Sequence, residues 1–429
     1  MPQLEIPNEG SGRSSFGQFG LANPQDRSAP TEVDRDRLSA RLGAEGLGWV
    51  ISPYRVCPLG AHIDHQGGPV LGTAITAHTL LAFRGSDDGK CRILSEHYPG
   101  EVTFDIDGIE PATQAQRRAD GIWGLYAQGA AALMREIVPG PLRGIEACSS
   151  GFLPGGGLSS SASITLAYCA ALAAVNGLDL DDRQYVDLAK RTENEWVGVA
   201  CGILDPASIV GGLRGHLLSI DTQKVSWVPL AKGASTPGFR ILIAYTGMSR
   251  NLGETGFNSR VEECAAAARS IAKHAGLEPV DRLGELPEDV LEDALGRNPG
   301  LLEPALERRA RHFHEERSRV RKGIAAWQAG DLGTFGALMN DSCRSSRENF
   351  ETGSSELIDL HAIMGGCDGV YGARFSGAGF AGCAIGLVAE EKAVNAAQSI
   401  ERDFASKYPA LSQDAHCFLV DSDDGLRVV

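Results

Sequence analysis

The stretch Leu153-Pro154-Gly155-Gly156-Gly157-Leu158-Ser159-Ser160-Ser161-Ala162-Ser163 joins a segment with strand character to an apolar segment with helix character. Its three successive glycines allow a tight turn that brings backbone N–H groups against an anion without interference from a Cβ atom. The helix that follows adds unpaired N–H donors and the positive end of its dipole. The stretch therefore predicts a phosphate-binding loop. Its predicted contacts are Pro154, Gly155, Gly156, Gly157, Leu158, Ser159, Ser160 and Ser161.

A glycine-serine run can also belong to a Walker-type loop or to a flexible linker. The pattern G-x-x-x-x-G-K-[ST] occurs nowhere in the chain, so the loop is not of the Walker type. A linker followed by a capped helix is the remaining alternative to a binding loop. We prefer the binding loop, because glycine-serine linkers rarely run directly into an apolar helix.

A second glycine motif, Gly377-Ala378-Gly379-Phe380-Ala381-Gly382, matches the dinucleotide fingerprint G-x-G-x-x-G. That fingerprint requires a helix after it, whereas residues 383–388 read as a strand. We therefore expect no nicotinamide cofactor here, and interpret the motif as a tight turn beside a ligand cleft.

Outward from the loop, strands and helices mix without strict alternation, which predicts an α+β fold rather than a doubly wound parallel sheet. With 429 residues, we expect two domains that share a cleft. The predicted divisions are a mobile leader at 1–32, an amino-terminal domain at 33–220 and a carboxyl-terminal α+β domain at 221–429. The predicted helices are Ile122–Glu136, Ser161–Val175, Asp182–Val197, Arg260–His274, Leu301–Trp327 and Asp331–Phe350.

The composition excludes several classes of partner. The net charge of −15 argues against a nucleic-acid or anionic-membrane surface. One basic run, Arg308–Lys322, also carries glutamates at helical spacing and predicts a solvated helix face. The most apolar stretch, Ala162–Val175, is too short to span a bilayer. The amino terminus shows no signal pattern and the ten cysteines form no C-x-x-C pair, so we expect free thiols and a cytoplasmic protein, monomeric or weakly dimeric.

Polar side chains concentrate between Pro53 and Gly68, where Arg55, His62, Asp64 and His65 lie among glycines and prolines. Residues this polar in such a context are typical of a loop that binds a small molecule. A metal site formed by the two histidines and Asp64 is the alternative interpretation.

Two carboxylates remain ambiguous on sequence grounds. Asp205 follows an apolar turn, where it is either a helix cap or Asx turn, or a general base that accepts a hydroxyl proton. Glu193 lies on a predicted helix, facing either solvent or Mg²⁺.

The order of these motifs along the chain resembles that of the GHMP small-molecule kinases. The Arg55–Gly68 segment comes first, the glycine-serine loop in the middle, and Ser376–Cys383 near the end. Within that family the chain looks most like galactokinases, and closer still to galacturonokinases, over residues 50–388. The resemblance implies a two-domain GHMP kinase fold with the active site in the cleft, and ATP and Mg²⁺ as its nucleotide and cofactor.

The resemblance also implies roles for individual residues. Arg55 would stabilise charge near the attacking hydroxyl, and Asp205 in Cys201-Gly202-Ile203-Leu204-Asp205 would be the catalytic carboxylate. The Mg²⁺ ligands would be Ser159 and Glu193, and Trp123 would lie near adenine. The implied sugar-binding positions are Ala61, His62, Asp64, Gly202 and Phe257.

Three departures from the galactokinase pattern bear on the substrate. Galactokinases have glutamate where this chain has Ala61, usually tyrosine where it has Phe257, and usually glutamine where it has Pro206. Losing a carboxylate beside C6 removes repulsion against an acidic sugar, so we expect phosphorylation of the anomeric hydroxyl of D-galacturonate. Galactose or glucuronate as substrate, and an inactive sugar sensor, are the alternatives. The group that would meet the sugar carboxylate is not evident; Arg250 and Arg260 are candidates by position alone.

Overall fold

The computed structural model describes residues 31–110, 123–138, 140–153, 155–248, 256–298 and 300–429. Of the sequence predictions, most of the leader, Pro154 in the phosphate loop and Arg250 lie outside the described residues.

The described residues form twelve strands and eleven α-helices. The strands are β1 Gly48–Leu59, β2 Val70–Ser86, β3 Lys90–Ser95, β4 Glu101–Asp105, β5 Gly144–Gly151, β6 His216–Asp221, β7 Ser226–Ala231, β8 Phe239–Tyr245, β9 Val370–Phe375, β10 Cys383–Ala389, β11 His416–Val420 and β12 Arg427–Val428. The helices are α1 Glu32–Leu42, α2 Trp123–Ile137, α3 Ser160–Asn176, α4 Asp182–Arg191, α5 Leu204–Val210, α6 Phe257–His274, α7 Glu288–Gly296, α8 Pro304–Ala329, α9 Leu332–Glu348, α10 Ser355–Gly365 and α11 Ala393–Lys407.

The first sheet is built around β1 and β2, two long antiparallel strands that are buried over almost their whole length. Its main path runs β12-β1-β2-β5-β3-β4, and β6 with β7 extends from the other end of β2. All pairings are antiparallel except that of β3 with β5. Helix α3 lies on this sheet, where the Ser163 hydroxyl donates to Ser52 O at 2.7 Å and lies within hydrogen-bond distance of Thr79 Oγ1, at 2.9 Å. These bonds fix the start of α3, and the loop before it, over the middle of the sheet.

The second sheet has the order β11-β8-β10-β9 and is entirely antiparallel. Helix α9 packs closely on β9, where Gly336 and Gly372 let the two backbones touch. Largely antiparallel sheets with helices outside confirm the predicted α+β class. Strand β10 begins directly after the Gly377–Gly382 motif. This confirms the predicted strand at 383–388, where a dinucleotide fingerprint would require a helix.

The two sheets meet through an apolar cluster that contains Tyr54 and Val56 of the first sheet and Ile243, Ile385 and Phe418 of the second. A cavity of ≈ 130 Å³ lies in this region, lined in part by Val56, Pro58, Trp327 and Phe335. None of the described residues predicted to act in the site lines it. Since side chains alternate along a strand, Val56 and Pro58 point away from the face of β1 that carries Arg55.

Two strands beyond the proposed domain boundary at residue 220 belong to the first sheet. Strand β7 pairs with β6, and β12 pairs with β1 through Val50↔Val428 and Ile51↔Arg427. The chain therefore returns to the first sheet after completing the second, and the boundary at 220 stays a prediction.

The predicted solvated face at Arg308–Lys322 is wrong for two of its charges. Helix α8 does carry exposed pairs such as Glu307–Arg311, but Arg309 is 1% exposed and Glu316 is fully buried. Arg309 is paired with Glu263 and Glu351, and Glu316 with Arg319. The helix packs inward over these positions, so its charges fall into a solvated set and a buried, partnered set.

All ten cysteines are free thiols, as the sequence predicts, and eight of them are buried. Among the described residues, no helix is long and apolar enough to cross a membrane.

Candidate functional site

The predicted phosphate loop leads into the amino terminus of α3. Ser159 is the cap residue and adopts a left-handed conformation with φ of 61°, while Gly155 and Gly157 have φ of 76° and 86°. The Ser160 hydroxyl accepts a hydrogen bond from Gly155 N at 3.1 Å and so closes the turn. Glycine is favoured at positions 155 and 157 because both have positive φ. The first amides of α3 have no partner within the helix and are therefore available to a ligand.

An ion pair connects this loop to the first sheet. Arg55 Nε donates to Asp205 Oδ1 at 2.7 Å, and Arg55 Nη1 donates to Gly157 O at 3.3 Å. The second oxygen of Asp205 accepts from the Ser159 hydroxyl. Arg55 is 4% exposed and the side chain of Asp205 is 22% exposed, so the pair is shielded while the carboxylate still reaches open space.

Asp205 lies in the first turn of the short helix α5 rather than in an open turn, and Pro206 follows it in that turn. Proline is tolerated there because the first amides of a helix need no intrahelical partner. The cap position is Ile203, and the Asp205 oxygens bond to Arg55 and Ser159 instead of to the helix backbone. The helix-cap interpretation of Asp205 is therefore wrong.

The Gly377–Gly382 turn packs against the phosphate loop from the second sheet. The Ser376 hydroxyl donates to Gly157 O at 2.8 Å. A Cβ atom on Gly377 would lie 2.8 Å from Gly157 O, and one on Gly382 would lie 2.6 Å from Gly156 O. The second sheet thus supports the loop by backbone contact, in agreement with the interpretation of this motif as a cleft-lining turn.

Asp64 lies next to Gly202 and accepts a hydrogen bond from Leu204 N at 3.2 Å. A Cβ atom on Gly202 would lie 2.3 Å from Asp64 Oδ2, so glycine is required for this approach. Burial, followed by the charge of Asp205, raises the pKa of Asp64 to about 6. A carboxylate whose pKa is displaced by burial and by a second charge is typical of functional sites.

His62 is buried, has φ of 59°, and stacks on Phe350 with ring centroids 4.4 Å apart. Phe257 packs near both His62 and His65, with centroids at 6.5 Å and 5.7 Å. Burial lowers the pKa of His62 well below its usual value and that of His65 to about 3, so both rings are neutral at pH 7. The Nε2 atoms of both histidines are buried without a hydrogen-bond partner in the described structure, which leaves them for a ligand.

Ala61 is 3% exposed, and its backbone is held on both sides. Ala61 N donates to Glu316 Oε1 at 3.2 Å, and His312 Nε2 bonds to Ala61 O at 2.9 Å. The Arg55–Gly68 segment, called here the sugar motif after its predicted role, is therefore fixed by helix α8.

Glu193 is 5% exposed, in a π-helical turn at Thr192–Val197 that extends α4. The Cys201 thiol donates to Glu193 Oε2 at 2.8 Å, and the Ser161 hydroxyl also interacts with this carboxylate. Burial, then the charge of Asp205, raises the pKa of Glu193. The solvent-facing interpretation of Glu193 is therefore wrong, and the Mg²⁺ interpretation stays a prediction.

The residues of the histidine motif are engaged by groups of the protein. In the part of the chain that the structure describes, no group of three or more His, Cys, Asp or Glu side chains is placed to hold a metal ion. His62 stacks on a phenyl ring and Asp64 accepts a backbone amide instead.

Trp123 begins helix α2 and is half-buried. Its ring stacks on that of Tyr98, with centroids 5.9 Å apart and planes 11° apart. Tyr98 is 42% exposed, so the pair presents an aromatic surface to solvent. This placement suits a base-stacking position.

Four residues that surround the sugar motif are not predicted from the sequence: His312 and Glu316 on α8, Phe350 after α9, and Arg374 on β9. His312 and Glu316 are four residues apart and therefore share one helix face. This spacing could have indicated that the two side chains lie close together. It does not show whether their helix face is buried or solvated, and the sequence predicts a solvated face. Phe350 and Arg374 are isolated in the sequence and are recognised only by their neighbours in space.

A glycine loop on a helix start, beside a buried arginine–aspartate pair and a second buried carboxylate, suits transfer of a phosphoryl group to a small hydroxyl compound. Residues 125–212 match the model of the GHMP kinases N terminal domain, and residues 321–406 match that of the GHMP kinases C terminal. The chain belongs to the GHMP kinase family.

Its relatives narrow the class to sugar kinases. The chain is 35% identical over 400 residues to a galacturonokinase of Arabidopsis thaliana, with 89% of this chain and 93% of the relative covered. It is 31% identical over 397 residues to a galactokinase of Roseiflexus sp. (strain RS-1), with 91% and 95% covered. The crystal structure of Lactococcus lactis galactokinase complexed with galactose superposes with a TM-score of 0.80 at 28% identity, with 91% and 97% covered. The chain is therefore a phosphotransferase of the sugar-kinase type, with ATP as the expected phosphate donor.

The contact between the glycine turn and the phosphate loop can be tested with Gly382→Ala. The added Cβ atom would meet Gly156 O at 2.6 Å and displace the loop. We expect kcat/KM for ATP to fall by roughly tenfold to hundredfold, since small displacements of phosphate-positioning groups are costly.

Gly100→Ala is the matched control, because Gly100 also has positive φ but a Cβ atom there would meet nothing within 4 Å. Steady-state kinetics with varied ATP would compare the two variants. An equal loss in both would show that backbone strain, rather than the contact with the loop, is responsible.

Proposed function

We propose that the enzyme transfers the γ-phosphate of ATP to the anomeric hydroxyl of D-galacturonate, giving galacturonate 1-phosphate and ADP. The observation that carries this choice is Ala61, a small buried side chain where galactokinases have a glutamate. Similarity to a galacturonokinase over 89% of the chain supports the same substrate.

The charge argument is quantitative. Two like charges about 4 Å apart repel by roughly 4 kcal/mol at an effective dielectric near 20, which is enough to exclude an acidic sugar. Alanine removes this repulsion and leaves space for the additional carboxylate oxygen. His62 and Asp64, two residues apart in the same segment, supply a neutral ring nitrogen and a carboxylate for the sugar hydroxyls. Gly202 lets Asp64 approach, and Phe257 offers an apolar wall instead of a hydroxyl.

Asp205 is proposed to accept or orient the proton of the anomeric hydroxyl during phosphoryl transfer. Its Oδ1 accepts a hydrogen bond from Arg55 Nε at 2.7 Å, so the carboxylate is fixed in direction next to a permanent cation. Arg55 also donates to Gly157 O, so its charge lies between the base and the phosphate loop. This position suits stabilisation of the charge that develops as the phosphoryl group moves.

The nucleotide side of the site is assigned to the loop residues 154–161, with Trp123 near the adenine. Mg²⁺ is proposed to be held by Glu193 and the Ser159 hydroxyl, with Ser161 next to Glu193. The assignment of Mg²⁺ to these residues rests on the buried Glu193 carboxylate. Burial raises the pKa of Glu193, and a nearby cation would lower it again. When bound, Mg²⁺ supplies charge neutralisation for the phosphate oxygens.

The expected partners are ATP and a sugar acid, and the ten unpaired thiols support a reducing compartment such as the cytoplasm. A monomer or weak homodimer is the proposed state.

The substrate is tested by measuring ADP release from a panel of sugars at fixed MgATP. We expect galacturonate to give the highest kcat/KM, above galactose and glucuronate, and EDTA to abolish turnover. Higher kcat/KM with galactose would contradict the proposed substrate, and no turnover with any sugar would favour an inactive sensor.

Ala61→Glu tests the charge argument directly. We expect kcat/KM for galacturonate to fall by about 10³-fold, the equivalent of the repulsion estimated above, while galactose is accepted better. Ala61→Gln is the control of equal size and no charge. Equal losses in the two variants would assign the effect to volume rather than charge.

Asp205→Asn removes the proposed base while retaining its shape. We expect kcat to fall by about 10²–10⁴-fold, with a small change in KM for ATP. Thermal denaturation would check that the variant folds. Full activity in a folded Asp205→Asn enzyme would exclude Asp205 as the base.

A further inference from the structure

One face of helix α8 runs along the sugar motif in the opposite direction. We call it the inner face of α8, and it consists of buried residues that recur at helical spacing: Arg309, His312, Glu316 and Gly323. Its contacts with the motif follow in reverse order, from Leu59 at the end of β1 to His62. The order of these contacts indicates that the helix serves as a support for the motif along its length.

The contacts begin with a close approach at the end of β1. A Cβ atom on Gly323 would lie 2.2 Å from Leu59 Cδ1, so glycine is needed for the helix to come this near. Two turns closer to the start of the helix, Glu316 Oε1 accepts from Gly60 N at 2.7 Å and from Ala61 N at 3.2 Å. Successive amides that point at one anion form a binding concavity, and here the anion comes from α8.

Glu316 is fully buried but ionised at neutral pH. Burial raises its pKa, but surrounding charges, led by that of Arg319, lower it to about 2. Its Oε2 accepts from Arg319 Nε at 2.6 Å, and its Oε1 also accepts from Ser342 Oγ at 2.7 Å. A buried carboxylate is tolerated when both oxygens are bonded in this way. The carboxylate is therefore fixed by α8 and α9 while it holds the two amides of the motif.

His312 holds the carbonyl of the same residue whose amide Glu316 holds. Its Nε2 lies 2.9 Å from Ala61 O, and its Nδ1 lies 2.9 Å from Ser345 Oγ. A carbonyl oxygen only accepts, so Nε2 carries the proton. Burial lowers the pKa of His312, so the ring is neutral and Nδ1 accepts from the hydroxyl. Ala61 is thus held at both ends of its backbone from neighbouring turns of one helix.

The last contact of the inner face reaches His62 through an aromatic ring. Arg309 Nη1 donates to Asn349 O at 2.5 Å, and its guanidinium lies 5.9 Å from the centroid of the Phe350 ring. That ring stacks on His62. Arg260, one of the two arginines considered for the sugar carboxylate, is engaged at the same point, since its Nε donates to Phe350 O at 3.1 Å.

We propose that Glu316 and His312 are positioning residues for the sugar. By fixing both ends of the Ala61 backbone they set where the Ala61 Cβ and the His62 ring meet the sugar, without touching it themselves. The inference rests on the proposed sugar-binding role of the motif, but not on which sugar is bound. The phosphate loop is held by Arg55 and the glycine turn instead, so loss of these bonds should weaken sugar binding and leave ATP binding unchanged.

The main test compares His312→Leu with His312→Gln. Leucine removes the donor to Ala61 O without changing any charge, whereas glutamine retains an N–H donor. With the sugar of highest kcat/KM as substrate, we expect KM for the sugar to rise by about tenfold in His312→Leu. We expect kcat and KM for ATP to stay nearly constant, and His312→Gln to recover most of the loss.

Glu316→Met and Glu316→Gln form a second, independent pair. Methionine removes the acceptor for both amides, whereas glutamine retains one acceptor oxygen, so KM for the sugar should rise more in Glu316→Met. Arg319 keeps Glu315 as a partner at 3.3 Å in both variants. If Glu316→Met does not fold, the His312 variants decide, because they alter no charge.

His361→Leu is the matched control, because His361 Nε2 also bonds to a backbone carbonyl, Ala373 O at 3.0 Å, but between α10 and β9. It should lower the thermal midpoint and leave KM for the sugar unchanged. An equal rise of this KM in His361→Leu and His312→Leu would show general loosening and contradict the inference.

His62→Asn separates this inference from the proposed function, since asparagine tolerates the positive φ of His62 but lacks the ring. If KM for the sugar rises in His62→Asn but not in His312→Leu or Glu316→Met, the positioning role is overturned alone. If it is unchanged in His62→Asn as well, the sugar-binding role of the motif is wrong, and the inference is lost with it.

Discussion

The ion pair between Arg55 and Asp205 is the interaction on which the rest of the site depends. It joins three elements that are far apart in sequence: the middle of β1, the start of α5 and, through Gly157 O and Ser159, the phosphate loop. A buried pair of this kind contributes little net stability, because desolvation offsets most of the attraction. Its effect is on geometry, since removing either partner would leave the other charge buried and move the loop. The arrangement fixes the Asp205 carboxylate relative to the glycine-serine loop.

The support beneath this pair comes from backbone rather than from side chains. The turn at Gly377–Gly382 approaches the loop so closely that no Cβ atom fits at either of its end glycines. Close-packed backbone transmits small displacements because there is no flexible side chain to absorb them. The turn after the second sheet therefore makes a rigid backbone contact with the phosphate loop, in addition to the apolar cluster in which the two sheets meet.

Much of the fold could be predicted from the sequence because its signals are local. The helices around the loop begin and end within a few residues of their predicted bounds. The strand predicted after Gly382 was enough to distinguish a turn from a nicotinamide-binding motif. What failed depended on tertiary neighbours. Arg309 and Glu316 have the same charges and spacing as their exposed neighbours on α8, and only the packing of that helix buries them. Helix α5, predicted as a turn, is too short to show a period. For the site, motif residues were identified from composition and resemblance, whereas Arg374 was not, because an isolated arginine carries no pattern.

The pairing of β12 with β1 has a consequence for the order of assembly. Val50 and Ile51 are among the earliest described residues of the first sheet, yet the partners that cover their outer edge are Val428 and Arg427. During synthesis, this edge of β1 therefore stays unpaired while the other strands of both sheets and nearly all helices are made. An uncovered strand edge is a template for pairing with other chains. The strand that carries Arg55 thus needs protection while the chain is incomplete, until a segment made much later closes its edge.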